Sequence, residues 1–277
     1  MINQINWKTK MNYLKNFLPL NVAIFLLFAI PIQGQSTFQP QTKEELQAAV
    51  DLWASDQSQA EATYGHIIDW DVSSITDMSQ LFSNFGSFNE PIGNWDVSNV
   101  TNMSRMFWTA DHSGIFNQDI SSWDVSNVTN MQETFKNNHV FDQDLSNWDV
   151  SNVTNMQELF KYTELLNTDV SNWNVSNVTN MAQMFFHAES MIFGDGITSW
   201  DVSNVTRMDY MFRAATINID VSSWDVSSVT NFTGMFDQDS YLSRENQCSI
   251  HTSWSSNSNW SYDWESTCFV LPEELFS

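Results

Sequence analysis

The sequence is poor in Gly, Pro and Cys and in positive charge. Its 277 residues include only 8 Gly, 5 Pro and 2 Cys, and 10 Lys and Arg stand against 33 Asp and Glu, for a formal net charge of -23. So few Gly and Pro argue against an ordinary loop-rich sandwich. The scarcity of Lys and Arg excludes a nucleic-acid binder of the usual kind and an anionic membrane surface as partner, because both need clustered cations.

What the sequence does contain is apolar and aromatic. Hydrophobic residues make up 42% of the chain, which includes 20 Phe and 13 Trp. Such a composition excludes a disordered chain, which cannot bury enough apolar surface to fold. We therefore expect a large core.

The first 34 residues are typical of a secretory signal peptide. Three lysines precede an apolar run from Leu20 to Ile30, and no acidic residue occurs before Glu44. The run is too short to cross a hydrocarbon layer about 30 Å thick, and Gly34 could mark the cleavage site. We expect a secreted, extracellular or cell-surface protein without stable membrane insertion after signal removal. A retained membrane anchor is the alternative.

A repeated unit fills the middle of the chain. Seven tryptophans recur at intervals of 25, 28, 25, 25, 27 and 24 residues, each followed by Val two residues later, Ser three later, Thr six later and Phe twelve later. The seven are Trp70, Trp95, Trp123, Trp148, Trp173, Trp200 and Trp224. A unit of this size cannot bury Trp, Val, Met and Phe alone, so neighbouring units must stack.

The spacing within a unit predicts an α/β solenoid. Trp123 and Val125 are two residues apart and predict one face of a short strand. Thr129 stands where a helix N-cap belongs, and Met131 and Phe135 follow at helical spacing. We predict a leucine-rich-repeat-like, right-handed coil of seven repeats with short parallel strands and short helical turns.

The predicted organisation has four parts. They are a signal peptide (1–34), a helical N-terminal cap (35–62), the seven-repeat solenoid (63–236) and a C-terminal cap (237–277). Thr42 opens a capping box for a helix with Leu46, Ala49, Val50 and Trp53 on one face. In an oxidising compartment we expect a disulfide between Cys248 and Cys268, worth roughly 3 kcal/mol for a loop of about 20 residues.

The motif W-D-V-S-N-V-T-N-M-x-x-M-F, together with F-N-Q-D-I-S-S-W, resembles the BspA-like leucine-rich-repeat surface proteins in their 25-residue repeat branch. The resemblance covers roughly residues 63–236. It implies a leucine-rich-repeat-type solenoid on a secreted or surface-displayed protein, with adhesion or partner binding as the expected role. It carries over no catalytic residues.

Two columns of aspartates are the first candidate site. Asp71, Asp96, Asp124, Asp149, Asp201 and Asp225 directly follow a Trp, with Asn174 interrupting, and Asp119, Asp144, Asp169 and Asp220 precede one by four residues. We select Asp96, Asp124, Asp149, Asp201 and Asp225 as partner-binding candidates. Oxygen-rich surfaces suit calcium, which stays open as a ligand, although no metal-ligating residue and no cofactor is assigned. Solvation and local backbone bonding are the alternative.

All length variation falls in the loops between units, where solenoids often bind partners. The longest loop, 108–115, adds an expected exposed Trp108 and His112 to the partner-binding candidates.

Enzyme motifs are absent from the sequence. The five His are scattered, and no HExxH, GxSxG, P-loop or GxGxxG occurs. We therefore predict a non-enzymatic binding or adhesion module that uses its sheet face and variable loops to bind an extracellular protein or glycan. The alternatives are a structural envelope component or a calcium- or ice-binding solenoid, the last suggested by the regular Thr column.

Overall fold

The computed structural model describes residues 37–163, 169–188, 195–238 and 241–268, so the predicted signal peptide lies outside the described residues. The helices are α1 (Lys43–Ser55), α2 (Gln57–Tyr64), α3 (Arg244–Trp254) and α4 (Glu265–Cys268), with 3₁₀ helices at Ile67–Asp69, Ile92–Asn94 and Asp195–Ser199. Within the described ranges, no helix has both the length and the apolar character needed to cross a membrane.

Helix α1 packs against the first repeat. Thr42 is its N-cap, and the Thr42 hydroxyl accepts a hydrogen bond from the Glu45 amide at 3.2 Å. The buried residues of α1 are Leu46, Ala49, Val50 and Trp53. The ring of Trp53 meets that of Trp70 edge-on at 6.0 Å. The predicted helix start and apolar face are thus confirmed.

The repeats pack through columns of equivalent side chains, one from each coil. All seven repeat tryptophans, and the Val two residues after each, are buried. The Phe column from Phe82 to Phe236 is stacked ring on ring, with centroids 5.5–6.0 Å apart. Offset stacking at such distances stabilises aromatic pairs beyond their area burial. The Trp column is therefore core, as predicted.

Hydrogen bonds from equivalent positions join successive coils. Trp148 Nε1 donates to the Ile120 carbonyl of the preceding coil at 3.1 Å. The backbone amide of Thr154 donates to the Thr129 carbonyl at 2.9 Å. Both bonds recur along the stack. Each coil thus satisfies polar groups of its neighbour, which makes the stack, not the single coil, the stable unit.

The prediction of an α/β solenoid with parallel strands is wrong. The described residues contain no β-strand. Successive coils meet instead in single parallel bridges, the first between Asp77 and Asn102 and the last between Arg207 and Asn231.

The reason lies in where the backbone amides of each predicted strand donate their hydrogen bonds. The Trp123 amide donates to the Ile120 carbonyl at 3.1 Å, and the Ser126 amide donates to Asp124 Oδ1 at 3.0 Å. These bonds lie within one coil and leave no continuous ladder to the next. Trp123 and Val125 are nevertheless buried and Asp124 is exposed, so side-chain alternation alone does not establish a strand.

The predicted helical turn of each repeat is wrong as well. Glu133 (φ 57°) and Asn137 (φ 65°) adopt the left-handed conformation, which an α-helix does not contain. Each is the third residue of a turn closed by a bond such as that from the Thr134 amide to the Met131 carbonyl (3.3 Å). Two such turns bury Met131 and Phe135 four residues apart, so they reproduce the apolar spacing of a helix.

The segment after the repeats covers the last coil. Asn257 Nδ2 donates to the Val226 carbonyl at 2.8 Å and to the Val229 carbonyl at 3.1 Å. Trp254 of α3 stacks on Trp224 with ring centroids 6.3 Å apart. Both contacts extend the bonding and stacking of the repeats by one layer.

The predicted disulfide between Cys248 and Cys268 is confirmed and joins α3 to α4. Arg244 Nε donates to the Thr267 carbonyl at 2.6 Å and makes a second link between these helices.

Candidate functional site

The first Asp column lies on the surface. Its exposed members include the five partner-binding candidates Asp96, Asp124, Asp149, Asp201 and Asp225. In each, Oδ1 accepts a hydrogen bond from the amide of the Ser two residues later, at 3.0–3.1 Å. Asn174 makes the same bond with Ser176 at 3.2 Å. The column therefore closes an Asx turn in every coil, and either Asp or Asn can do so.

These bonds lower the pKa of most carboxyls in the column. For Asp149 the main cause is the Ser151 hydroxyl, followed by the Ser151 amide. For Asp225 the Ser227 amide comes first. Repulsion from Asp124 raises the pKa of Asp149, but it is the smaller effect. Hydrogen bonds within the turn therefore favour the ionised form of Asp124, Asp149, Asp201 and Asp225.

The second Asp column makes the same kind of turn. The members Asp119, Asp144, Asp169 and Asp220 accept from the amides of Ser121, Ser146, Ser171 and Ser222 at 2.8–3.0 Å. Across the part of the chain that the structure covers, no three His, Cys, Asp or Glu side chains form a group that could hold a metal ion. The columns place one carboxylate per coil and do not gather them into a cage.

The Asn and Thr columns hold the coils together. Asn152 Nδ2 donates to the Ser126 carbonyl at 2.7 Å, and Thr154 Oγ1 donates to the Thr129 carbonyl at 3.1 Å. The same bonds recur in neighbouring coils. The Thr column is therefore not a set of helix N-caps. The hydroxyls of the Thr column and the side-chain amides of the Asn column serve the stacking of the repeats.

The two candidates of the longest loop have different surroundings. Trp108 is half-buried, which corrects the expectation of an exposed indole, and His112 is exposed. The Arg105 guanidinium lies 5.6 Å from the Trp108 ring centroid. His112 Nδ1 lies 3.2 Å from Nε2 of His139 in the next coil. Neither Arg105 nor His139 was selected from the sequence.

A second surface is formed by residues ten to fourteen positions after each Trp. At the thirteenth position, successive coils carry Trp108, Lys136, Lys161, Phe186 and Arg213. Together with Arg105, Tyr162 and Tyr210, these half-buried residues form what we call the turn-side strip. Three of the ten Lys and Arg of the chain precede residue 36, and four of the other seven lie in this strip.

Two buried glutamates link the cations of the strip across three coils. The Glu133 side chain, 4% exposed, pairs with Arg105 at 2.8 Å and with Lys136 at 3.1 Å. The Glu158 side chain, 10% exposed, pairs with Lys136 at 2.6 Å and with Lys161 at 3.2 Å. With Arg213, the strip has four cations against these two glutamates and Asp237, the exposed residue at the thirteenth position of the seventh coil, so the strip carries a small positive excess in an acidic protein.

The ion pairs favour the charged forms of Glu133, Glu158 and Lys136. Burial by itself would raise the pKa of Glu133, but hydrogen bonds from Arg105, Gln132 and Lys136 outweigh it and lower the pKa. The pKa of Glu158 is likewise lowered against burial, chiefly by the bond from Lys136. Burial would lower the pKa of Lys136, yet its glutamate partners raise it.

Aromatic rings continue the contacts beyond the ion pairs. Lys161 Nζ lies 4.8 Å from the ring centroid of Phe186 and 5.6 Å from that of Tyr162. The Arg213 guanidinium lies 5.6 Å from Phe186 and 5.4 Å from Tyr210. Such cation–π contacts restrict the positions of these side chains.

The strip was not identified from the sequence because its residues vary from unit to unit, whereas the recognisable motif consists of positions that keep the same residue. The thirteenth position after Trp differs in every coil except the third and fourth, which both carry Lys. Aligning the seven units on their tryptophans would have shown aromatic or basic residues at this position in the second to sixth units, between Ser83 in the first and Asp237 in the seventh.

A pocket of about 420 Å³ lies between the last repeat and the residues around the end of α3. The titratable side chain in its lining is Asp225, accompanied by Ser and Asn residues such as Ser227 and Asn257. It therefore offers no acid and base pair of the kind that hydrolytic chemistry needs.

The stacked coils define a repeat protein whose units are 24–28 residues long. The chain belongs to the family described as Mycoplasma protein of unknown function, DUF285, whose model matches residues 54–167, 111–193 and 165–261. The matches overlap, as expected when one model can be placed on several successive repeats. Neither the curated proteins nor the solved structures contain a significant match to the chain.

Proposed function

We propose that this protein is a non-enzymatic binding protein that holds an acidic patch of a partner protein on its turn-side strip. The supporting observation is the concentration of half-buried aromatic and cationic side chains on one surface of a chain with a net charge of -23. Trp, Tyr and Arg are the residue types that dominate the energetics of protein–protein interfaces.

The contacts within the strip favour binding because they order it in advance. Arg105, Lys136 and Lys161 are held by buried glutamates, and Arg213 lies between two rings. Side chains that are already ordered lose less conformational entropy when a partner docks. Their positive charge would select a partner with a complementary acidic patch.

An extracellular location fits the disulfide between Cys248 and Cys268 and the predicted signal peptide. The resemblance to BspA-like surface proteins supports the same proposal and adds adhesion as the setting in which binding takes place.

An array of purified extracellular proteins and glycans tests the proposal. We expect the protein to be retained on one or more proteins and Arg213→Ser to weaken that retention about tenfold or more. The first repeat carries Ser83 at the equivalent position, so the coil tolerates this residue. Asp149→Asn is the control and should bind like the wild type. Retention on glycans alone would contradict the protein partner, and self-association alone would favour a structural envelope component.

A further inference from the structure

Two histidines from successive coils meet outside the turn-side strip. His112 belongs to the loop that follows the second coil's turns, and His139 to the equivalent segment of the third coil. His112 Nδ1 and His139 Nε2 are 3.2 Å apart, with the ring centroids at 5.2 Å and the ring planes at 40°. At this separation one ring nitrogen donates a hydrogen bond to the other. A single proton therefore lies between the two nitrogens.

The loop that carries His112 is fixed by bonds to its neighbours. The Ala110 amide donates to Asn84 Oδ1 at 2.9 Å, and the Ile115 amide donates to the Gly86 carbonyl at 3.1 Å. A Cβ on Gly86 would lie 2.0 Å from the Ser113 hydroxyl oxygen, so the glycine allows the loop to approach the first coil. The position of His112 is therefore set by the fold.

The Tyr162 ring supports His112 from another coil. The two rings meet edge to face with centroids 4.8 Å apart. The imidazole of His112 is thus in contact with side chains of the third and fourth coils, and its Nδ1 faces His139.

We propose that His112 Nδ1 and His139 Nε2 chelate a borderline divalent transition-metal ion such as Zn²⁺ or Cu²⁺. Two imidazole nitrogens, each about 2.0–2.1 Å from a tetrahedral zinc ion, lie roughly 3.3 Å apart. The observed separation of 3.2 Å is close to this value, so rotation of the two imidazole rings would turn both lone pairs toward one ion. Zn²⁺ and Cu²⁺ are well suited to imidazole nitrogen, whereas calcium is suited to carboxylate, carbonyl and water oxygens.

Binding replaces the shared proton by the metal. Each nitrogen then donates its lone pair to the ion, and the displaced proton moves to the other nitrogen of the same ring, so that both histidines bind as neutral ligands. Within the described ranges no third His, Cys, Asp or Glu completes a metal-binding group, so we assign two protein ligands to this site. The net charge of -23, which includes the neighbouring Asp111, raises the local concentration of cations.

Calorimetric titration of metal-free protein with Zn²⁺ and with Cu²⁺ tests this site. We expect one saturable equivalent, with Cu²⁺ bound more tightly than Zn²⁺. His112→Asn and His139→Gln should each weaken this step tenfold or more. Asn accepts the left-handed backbone (φ 59°) at residue 112, so loss of binding there would not reflect a distorted loop.

His66→Asn is the matched control, because His66 lies before the first repeat tryptophan, and it should leave the titration unchanged. Thermal melting of each variant without metal checks that it is folded, and the metal should raise the melting temperature of the wild type but of neither pair variant. The proposal is overturned if the wild type shows no saturable step, or if the step survives both His112→Asn and His139→Gln.

Discussion

In every coil, the residue directly after the Trp and the residue thirteen positions after the Trp both reach the surface. The side chains and backbone groups that they contact differ. The Asp124 carboxylate is bonded by Ser126 of its own turn, whereas Lys136 pairs with glutamates of two coils. The Asp position therefore depends on the backbone and is repeated almost unchanged. The Lys position depends on neighbouring side chains, so it can vary from coil to coil. This difference is the reason that we propose the strip, and not the Asp column, as the binding surface.

The largest expected loss of stability comes from a substitution in the turn-side strip. Glu133→Ala leaves Arg105 unpaired and removes one partner of Lys136, in a site where the carboxylate is nearly inaccessible. Lys136 keeps Glu158 as a partner and the Arg105 side chain is 43% exposed, so the loss of these charged hydrogen bonds should lower the free energy of unfolding by about 2 kcal/mol. Denaturant unfolding measures it. Asp149→Ala, at an exposed turn, is the control, and an equal loss in both variants would remove the distinction between the two surfaces.

Acidification should lower the stability of the protein by protonating the first Asp column. Because folding lowers the pKa of Asp124, Asp149 and Asp201 below the ordinary 3.8, their contribution is present at neutral pH. It is lost as the pH falls through about 4 and below, where the unfolded chain binds more protons than the folded one. The triple variant with Asn at these positions should lose less stability on acidification, as measured by melting temperature from neutral pH to about pH 3. Identical profiles for variant and wild type would refute this account of the columns.

Single changes in the Asp column should be smaller and should depend on the replacement. Asp124→Ala removes the turn bond with Ser126 and should cost about 1 kcal/mol in denaturant unfolding. Asp124→Asn keeps an acceptor oxygen, as Asn174 does naturally, and should cost close to nothing. If the two variants were equally destabilised, the charge and not the Asx turn would be the important feature.

The smallest expected effect concerns the turns themselves. Ala214 adopts a left-handed conformation (φ 54°), which disfavours a residue with a Cβ. Ala214→Gly should therefore stabilise the protein by about 0.5 kcal/mol, after allowing for the added freedom of the unfolded chain. Ala110→Gly, at a residue without positive φ, should instead destabilise it by a similar amount. Thermal melting of both variants compares them directly, and stabilisation by both or by neither would contradict the assigned turns.

Much of the core was predictable because burial follows from composition and period. The Trp, Val and Phe columns and the apolar face of α1 were identified from spacing, and the disulfide from the presence of two cysteines in a chain expected to be exported. The backbone was not, since two turns with left-handed residues bury Met131 and Phe135 at the same interval as a helix. Alternation around Trp123 likewise arises without a ladder, because Asp124 takes the amide that a strand would pair with its neighbour.

The candidate site was only partly predictable. The Asp columns were visible because they repeat, and their local bonding could be expected from Asp followed two residues later by Ser. The strip depends on contacts between coils, such as Lys136 with Glu158 and Lys161 with Phe186. Those contacts become apparent only when the register of the stack is known.

The central claim is that the turn-side strip binds the partner and the first Asp column serves the fold. Two triple variants test it in one binding measurement on a partner found by the array. The strip variant replaces Trp108, Phe186 and Arg213 with Ser, the residue that the first coil carries at this position as Ser83. The column variant replaces Asp124, Asp149 and Asp201 with Asn, the residue that the fifth coil carries as Asn174. We predict that the strip variant loses at least about tenfold in affinity while remaining folded, and that the column variant binds like the wild type. Loss of binding in the column variant with full binding in the strip variant would contradict the account.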